Sequence, residues 1–167
     1  STYVYLGADG NLLKDTPENC KSQKVRNPIL TNTDLLKIKY MKVEGFKVEI
    51  IPIVYYKGAG LKKALDDMFI NIDRAVRNNA NIIILSDRDV DEFHMPIPSL
   101  LAVSAAQQHL VSTKKRTQLS LILETGEPRE VHHFATLLGF GASAVNPYLA
   151  LDSIKDLIDE ELMDKDY

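Results

Sequence analysis

The sequence contains only one cysteine, Cys20, and no tryptophan, and the shortage of thiols narrows what the chain can be. A single thiol cannot form a disulfide within the chain, nor can it supply a cysteine-rich zinc or iron–sulfur site. This usage is typical of a reducing compartment such as the cytoplasm. Cys20 lies in the polar segment ENCKSQ without a neighbouring base, so we do not predict a nucleophile there.

Long apolar runs and basic blocks are also missing. The longest apolar run, NIIILS, falls far short of the roughly 20 residues that a membrane-spanning helix needs. No signal-peptide pattern is visible. Acidic and basic residues are mixed along the chain, with a net charge of −3. We therefore predict neither a membrane nor a nucleic-acid partner.

What remains is the composition of an ordinary globular domain, with 167 residues of which 45% are hydrophobic and 26% charged. Residues 1–27 are polar and rich in turn signals, and we interpret them as an extended lead-in or linker. In residues 28–167, apolar patterns typical of strands alternate with patterns typical of helices. These residues form the predicted domain, which we expect to be truncated at its C-terminus.

Four apolar segments read as strands: FKVEIIPIVY, NIIILSD, TQLSLILET and SAVNPYLA. NIIILSD contains a continuous apolar run of strand length, as expected for a strand buried on both faces of a parallel sheet. Between and after the strands come helical patterns: GLKKALDDMFINIDRAVRNN, IPSLLAVSAAQQHLVSTKK, EPREVHHFATLLG and DSIKDLIDEELMD. A short helix from about Asp34, capped by Thr31 or Thr33, precedes them.

This order of alternating βα units predicts an α/β fold with a mainly parallel sheet. A doubly wound sheet and part of a (βα)8 barrel both fit. We predict an apolar stripe of Leu61, Leu65, Met68, Ile72 and Val76 on the first long helix.

Polar side chains follow three of the predicted strands, and in parallel folds such strand ends share one edge. Ser86, Asp87 and Arg88 follow the second strand, residues 124–127 follow the third, and residues 146–148 (Asn-Pro-Tyr) lie in or just after the last. Two interpretations stay open. One is a small-molecule or anion site that uses Arg88, Arg129 and helix N-terminal amides. The other is a set of ion pairs among Asp87, Arg88, Glu124 and Arg129 that cap helices and close loops. We call this edge of the sheet, at the carboxyl ends of the strands, the rim. Its candidate residues are Ser86, Asp87, Arg88, Glu124, Glu127, Arg129 and Asn146.

The segment EPREVHHFATLLG contains two adjacent histidines, which raises the question of a metal site. On a helix, Val131, Phe134, Ala135 and Leu138 form the predicted buried stripe, with Pro128 near the start and Gly139 as the C-cap. His132 and His133 diverge by about 100° and cannot easily chelate one ion. Glu130 and His133 make one E-x-x-H pair, but a di-metal site needs further ligands that are missing. We predict no metal.

Four segments, taken together, resemble a known family. PILTNTDLLKI, GLKKALDDMF, IIILSDRDVDEFHMPIPSLLAVSAAQQHLV and LILETGEPREVHHFATLLGFGASAVNPYLA are similar, in this order, to the central domain of glutamate synthase large subunits. The resemblance covers about residues 27–157.

The resemblance implies a part of a larger enzyme, in which a glutaminase domain releases ammonia and an FMN synthase domain makes glutamate from 2-oxoglutarate. It implies FMN and an iron–sulfur cluster in the parent enzyme and neither in this fragment. The central domain would join the two active domains, which are its expected partners. By the same resemblance it would be a rudimentary relative of the (βα)8 FMN-type barrel, inactive alone, with rim residues that serve domain packing or line an ammonia path. The compartment implied is the cytoplasm, or a plastid stroma if the parent is of that type.

Two other functions are consistent with the residues. A stand-alone barrel-like protein would bind a phosphate or flavin near Arg88, Glu124 and Arg129. An interaction module would use the last helix, whose Ile154, Leu157, Ile158 and Leu162 lie on one side.

Overall fold

A computed structural model of the chain describes residues 4–7, 22–25, 28–42, 45–127 and 131–164. The strands are β1 (Val4–Gly7), β2 (Ser22–Val25), β3 (Val48–Pro52), β4 (Val54–Tyr56), β5 (Ile82–Ser86), β6 (His94–Pro96), β7 (Ser120–Glu124) and β8 (Ala144–Asn146). The helices are α1 (Asn32–Lys39), α2 (Leu61–Arg77), α3 (Ser99–Ser112), α4 (Val131–Gly139) and α5 (Tyr148–Asp164). None of these helices is long and apolar enough to cross a membrane.

The central sheet has four parallel strands in the order β3-β5-β7-β8. Each strand pairs with its predecessor among the sheet strands, and the crossover helices α2, α3 and α4 pack against one another. Ile29 adds a parallel bridge to Val145, so the segment that leads into α1 lies beside β8. This is the strand order of a barrel and not of a doubly wound sheet, in which the first strand lies in the middle. The predicted α/β fold with a mainly parallel sheet is confirmed.

The strands β5, β7 and β8 are buried on both faces, whereas Ile50 of the edge strand β3 is 48% exposed. Strands buried in this way carry apolar residues at consecutive positions. On one face, residues such as Ile83, Leu121 and Val145 pack against α2, α3 and α4. On the other face, Ile84 and Ile122 pack in a second cluster, whose other members include Leu35 and Ile38 of α1. α1 thus fills the face that would be the interior of a closed barrel, and the described strands form an open sheet.

Several predicted details differ from the structure. The segment FKVEIIPIVY forms two strands and not one, because the chain passes at Ile53 from β3 to β4, which pairs antiparallel with β6. The helix predicted from Asp152 begins at Tyr148, directly after Pro147. Residues 4–7 and 22–25 form an antiparallel pair that the sequence did not indicate. The domain boundary at residue 27 stays a prediction.

The predicted apolar stripes of two helices are only partly reproduced. On α2, Met68 and Ile72 are buried and Leu65 and Val76 pack against the core as predicted, but Leu61 is 36% exposed. Ala64 and Ala75 take the remaining buried positions, because small side chains allow α2 to lie close to the sheet. On α4, Leu137 is buried and Ala135 is exposed.

The three outer helices end in the same way, with a residue in the left-handed region. In each, two backbone N–H groups bond back to carbonyls of the last turn, as in a Schellman motif. The left-handed residues are Asn79 (φ 60°), Lys114 (φ 58°) and Gly141 (φ 126°). Gly141, not Gly139, therefore terminates α4.

Replacing Lys114 with glycine should stabilise the protein. Lys114 is exposed, and its positive φ imposes a steric cost that glycine does not pay. We expect the free energy of unfolding to rise by about 0.5–1 kcal/mol, measured by urea denaturation. Lys114→Ala is the matched control and should gain nothing, since alanine retains the Cβ; an equal gain in both variants would contradict this explanation.

Candidate functional site at the carboxyl ends of the strands

The carboxyl ends of the central strands carry a row of polar side chains on the α1 face. Ser86, Glu124 and Asn146 are aligned in register across β5, β7 and β8, and each is the last residue of its strand. Because side chains alternate along a strand, they lie on the same face as the apolar Ile84, Ile122 and Ala144 two residues earlier. We call Ser86, Glu124 and Asn146 the polar row.

Glu124 is the centre of an ion cluster that joins α1 to the sheet. Its carboxylate accepts hydrogen bonds from Ser86 Oγ at 2.6 Å, from Arg88 Nε at 2.8 Å, and from Lys39 Nζ at 2.9 and 3.0 Å. Only 1% of its side chain is exposed. Burial by itself raises the pKa of Glu124, but the bonds from Ser86, Arg88 and Lys39 outweigh it, and the pKa lies below the usual value. Glu124 is therefore an ionised carboxylate whose two oxygens are both hydrogen-bonded.

Asp87, one residue beyond β5, organises a second cluster. Its carboxylate accepts from Tyr148 Oη at 2.6 Å, from Thr125 Oγ1 at 2.7 Å, and from the backbone N–H of Gly126 at 3.2 and 3.3 Å. Tyr148 is the first residue of α5, so Asp87 ties that helix to the end of β7. Burial, and then the hydrogen bond to Asp87, raise the pKa of the Tyr148 phenol well above its usual value.

Arg88 connects the two clusters. Its Nε donates to Glu124, and its guanidinium carbon lies 4.3 Å from the centroid of the Tyr148 ring, which is cation–π distance. The Arg88 side chain is 44% exposed, so its outer edge faces solvent while its inner edge is held. Of the two described cations that bind Glu124, Arg88 is the one that a partner surface can reach more easily.

Glu127 belongs to a separate part of the rim, at the start of α3. Its carboxylate accepts from the backbone N–H of Ser99 at 3.1 Å, where α3 begins. Ser99 Oγ lies 2.8 Å from Thr125 Oγ1. A cavity of about 220 Å³ lies beside this contact, between α3 and α4, and is also lined by His133. Glu127 thus caps α3 and takes no part in the Glu124 cluster.

The structure brings most of the predicted rim residues together and adds others. Ser86, Arg88 and Glu124 are in direct contact, while Arg129 lies outside the described residues. The sequence missed Lys39, which comes from α1 and had no signal beyond a basic residue in a last helical turn. Tyr148 belongs to the polar cluster predicted at the end of the last strand, but the sequence did not indicate the contacts of its phenol with Asp87 and Arg88.

The histidine segment shows no metal-site geometry among the residues that can be described. His133 is exposed and lies on the cavity between α3 and α4. Glu130 and the side chain of His132 lie outside the described set. Within that set, no group of three or more His, Cys, Asp or Glu side chains could hold a metal ion.

Comparison with known proteins places the chain in a family. The family profile described as "Glutamate synthase central domain" matches residues 1–167, the whole chain. The chain belongs to the glutamate synthase central domain family. The predicted resemblance is thereby confirmed.

Relatives of this central domain are parts of much larger proteins. The chain is 41% identical over its full length to the glutamate synthase [NADPH] large chain of Bacillus subtilis, of which it covers 11%. It is 36% identical, over 98% of its length, to glutamate synthase [NADH] of Schizosaccharomyces pombe and covers 8% of that protein. It is 37% identical, over 93% of its length, to ferredoxin-dependent glutamate synthase 1 of Arabidopsis thaliana, described as chloroplastic/mitochondrial, and covers 10% of it. The chain therefore corresponds to about a tenth of these relatives.

Proposed function

We propose that this chain is the connecting central domain of a glutamate synthase, which positions a glutaminase domain and an FMN synthase domain and has no catalytic activity alone. In the parent enzyme, glutamine, 2-oxoglutarate and a reductant would give two molecules of glutamate. The observation that carries the proposal is the match of the whole chain to the central domain family. A chain that covers 8–11% of its relatives has the size of one component among several.

The chemistry of the rim supports a connecting role. A substrate site needs polar groups that are free to bind a ligand, whereas Glu124 and Asp87 are occupied by donors from within the chain. Lys39 Nζ and Arg88 Nε likewise donate to Glu124. Such closed clusters fix the relative positions of α1, α5 and the strand ends. We propose that they hold the rim in shape for contact with neighbouring domains, and that the polar row lines part of an ammonia path.

We propose that the rim holds neither FMN nor an iron–sulfur cluster. The phosphate of FMN would need cations or free backbone N–H groups, and at the rim Lys39 Nζ and Arg88 Nε are bound to Glu124, while the N–H of Ser99 is bound to Glu127. The single Cys20 cannot ligate a cluster. We propose that both cofactors are held by other domains of the parent.

The apolar side of α5 is a proposed contact with the rest of the parent enzyme. Ile154, Leu157 and Ile158 are each more than half exposed. An apolar stripe of this kind is typical of a surface that another part of a protein covers. For the parent we propose the cytoplasm, or the stroma if it is a plastid enzyme.

The proposal is tested first with the purified chain. We expect no release of ammonia from glutamine and no formation of glutamate from 2-oxoglutarate, with or without added FMN and a reductant. Turnover of either kind would contradict it. A flavin or phosphate titration tests the rival, a stand-alone ligand-binding protein, and saturable binding that is lost in Arg88→Ala would favour that rival.

In the parent enzyme, Arg88→Ala should weaken the coupling between the two active sites. Loss of the guanidinium frees the ring of Tyr148 and removes one donor from Glu124, so the rim loses a link between α5 and β7. We expect the ratio of ammonia released to glutamate formed to rise severalfold, measured as the two products in one assay. Arg77→Ala, on the exposed end of α2, is the matched control and should leave the ratio unchanged. An unchanged ratio and melting temperature in Arg88→Ala would exclude this role.

A further inference from the structure

Asn146 is the one member of the polar row whose hydrogen bonds are incomplete. Its side chain is fully buried at the end of β8. The amide nitrogen donates to Leu30 O at 3.0 Å and to Asn32 Oδ1 at 2.9 Å. The amide oxygen, Oδ1, is also buried, and among the described residues no donor reaches it. Buried polar atoms in native proteins are almost always hydrogen-bonded, so this acceptor requires an explanation.

Reversing the amide does not remove the difficulty. Exchange of the oxygen and nitrogen of Asn146 would direct its oxygen at Leu30 O and Asn32 Oδ1, which are both acceptors. Asn32 cannot reverse in turn, because its own amide nitrogen donates to Asp152 Oδ1 at 3.0 Å. The three side chains therefore fix one another, and Oδ1 of Asn146 stays without a donor from the part of the chain that the structure describes.

The surroundings restrict what can bind there to a very small molecule. Leu30, Glu124, Thr125 and Val145 are all buried. Thr125 N and Leu30 N are already bonded to the backbone oxygens of Asn146 and Val145. A buried polar atom of this kind is most often bonded to a single ordered water, a ligand of one non-hydrogen atom. It must donate a hydrogen bond, because Oδ1 can only accept.

We infer that Asn146 Oδ1 binds one buried hydrogen-bond donor of the size of water, either a water molecule or an ammonium ion, at the carboxyl end of β8. The two share the necessary chemistry, since each can donate to an amide oxygen. The neighbouring Glu124 is paired with two cations, Lys39 and Arg88, so it offers no uncompensated negative charge that would favour ammonium over water. The inference concerns the Asn146 side chain alone and does not depend on the connecting role proposed above.

An atomic-resolution crystal structure of this 167-residue chain tests the inference directly. We expect a single density peak at about 2.7–3.2 Å from Asn146 Oδ1. A parallel crystal soaked in a thallium(I) salt identifies the ligand, because thallium substitutes for ammonium-like cations and scatters anomalously. A peak without thallium signal assigns water, and a peak with thallium signal assigns a monovalent cation site. No peak, or a protein donor within bonding distance of Oδ1, overturns the inference.

A solution measurement provides a second test with a matched pair of variants. Water-proton relaxation dispersion counts long-lived internal water molecules. If the ligand is water, we expect Asn146→Leu to have one fewer of them than the unsubstituted chain, in ammonium-free buffer. Asn32→Ala removes a partner of the Asn146 amide nitrogen but leaves Oδ1 in place, so it should keep the full count. An unchanged count in a folded Asn146→Leu, together with no thallium signal, contradicts the inference; if Asn146→Leu does not fold, the crystal structure decides.

Discussion

Replacing Glu124 with glutamine should destabilise the chain by about 3 kcal/mol, since it leaves Lys39 and Arg88 facing a neutral group. The carboxylate is 1% exposed and accepts bonds from Ser86, Arg88 and Lys39. Glutamine has nearly the same shape but can offer only one acceptor oxygen, and its amide N–H group would point at other donors. Both cations retain partial access to water, which keeps the loss at the lower end for a broken buried ion pair. Urea denaturation at neutral pH measures it.

The matched control for this prediction is an exposed ion pair broken by the same chemical change. Asp67 accepts from Lys63 at 2.7 Å on the surface of α2, with both side chains more than half exposed. Asp67→Asn should cost no more than about 0.5 kcal/mol, because solvent screens exposed pairs. Comparable losses in the two variants would show that burial adds nothing to the Glu124 cluster.

The pH dependence of the free energy of unfolding, compared between the unsubstituted chain and Glu124→Gln, gives an independent check. The pKa of Glu124 is depressed in the folded state, so its contribution to stability is fully present above the unfolded-state pKa, about 4.5. It is lost as the pH falls through the lower folded-state value. The difference in free energy of unfolding between the unsubstituted chain and Glu124→Gln should therefore shrink as the pH is lowered from 7 towards 3. A difference that stays constant would contradict the assignment.

Replacing Asp87 with alanine should also destabilise the chain by about 3 kcal/mol, because it leaves the Tyr148 and Thr125 hydroxyls and the Gly126 N–H without their acceptor. Tyr148→Phe is the companion variant. It removes one of these bonds and retains the ring beneath Arg88, so we expect a loss of about 1 kcal/mol. A loss in Asp87→Ala no larger than that in Tyr148→Phe would mean that the carboxylate is not the organising group.

The Tyr148 phenol offers a second measurement on the same variant. Its pKa is raised by burial and, after that, by Asp87. Removing Asp87 should lower this pKa while burial still holds it above the ordinary value, which ¹³C NMR of labelled tyrosine can follow. Exposure of Tyr148 would also lower this pKa, so the comparison requires Asp87→Ala to be fully folded under the conditions of the titration.

The sequence predicted the structure best where a single short segment determines the local structure. NIIILSD and TQLSLILET each contain a continuous apolar run, which predicts buried parallel strands, and parallel strands bring their carboxyl ends to one edge. The contact of Ser86 and Arg88 with Glu124 followed from that rule. Thr31, one of the two proposed caps, accepts from the backbone N–H of Asp34 at 3.1 Å, as a capping residue should.

What the sequence could not supply depends on packing between distant segments. Lys39 reaches Glu124 across 85 residues only because α1 lies over the inner face of the sheet, and no local pattern encodes that placement. The stripe on α4 is displaced because neighbouring apolar residues offer several equivalent helical faces, of which packing on the sheet selects one. The choice of Gly141 over Gly139 as terminator was likewise ambiguous, since both glycines follow the same apolar residues.

The bridge between Ile29 and Val145 has a consequence for the order in which the chain can acquire its structure. During synthesis, β3, β5, β7 and β8 emerge in the order in which they pair, so each new strand finds its neighbour already present. The segment around Leu30 is made first but must wait for Asn146, 116 residues later. Contacts of such long sequence separation form slowly. We therefore expect the beginning of the domain to be the last part to become protected from amide hydrogen exchange in a refolding experiment.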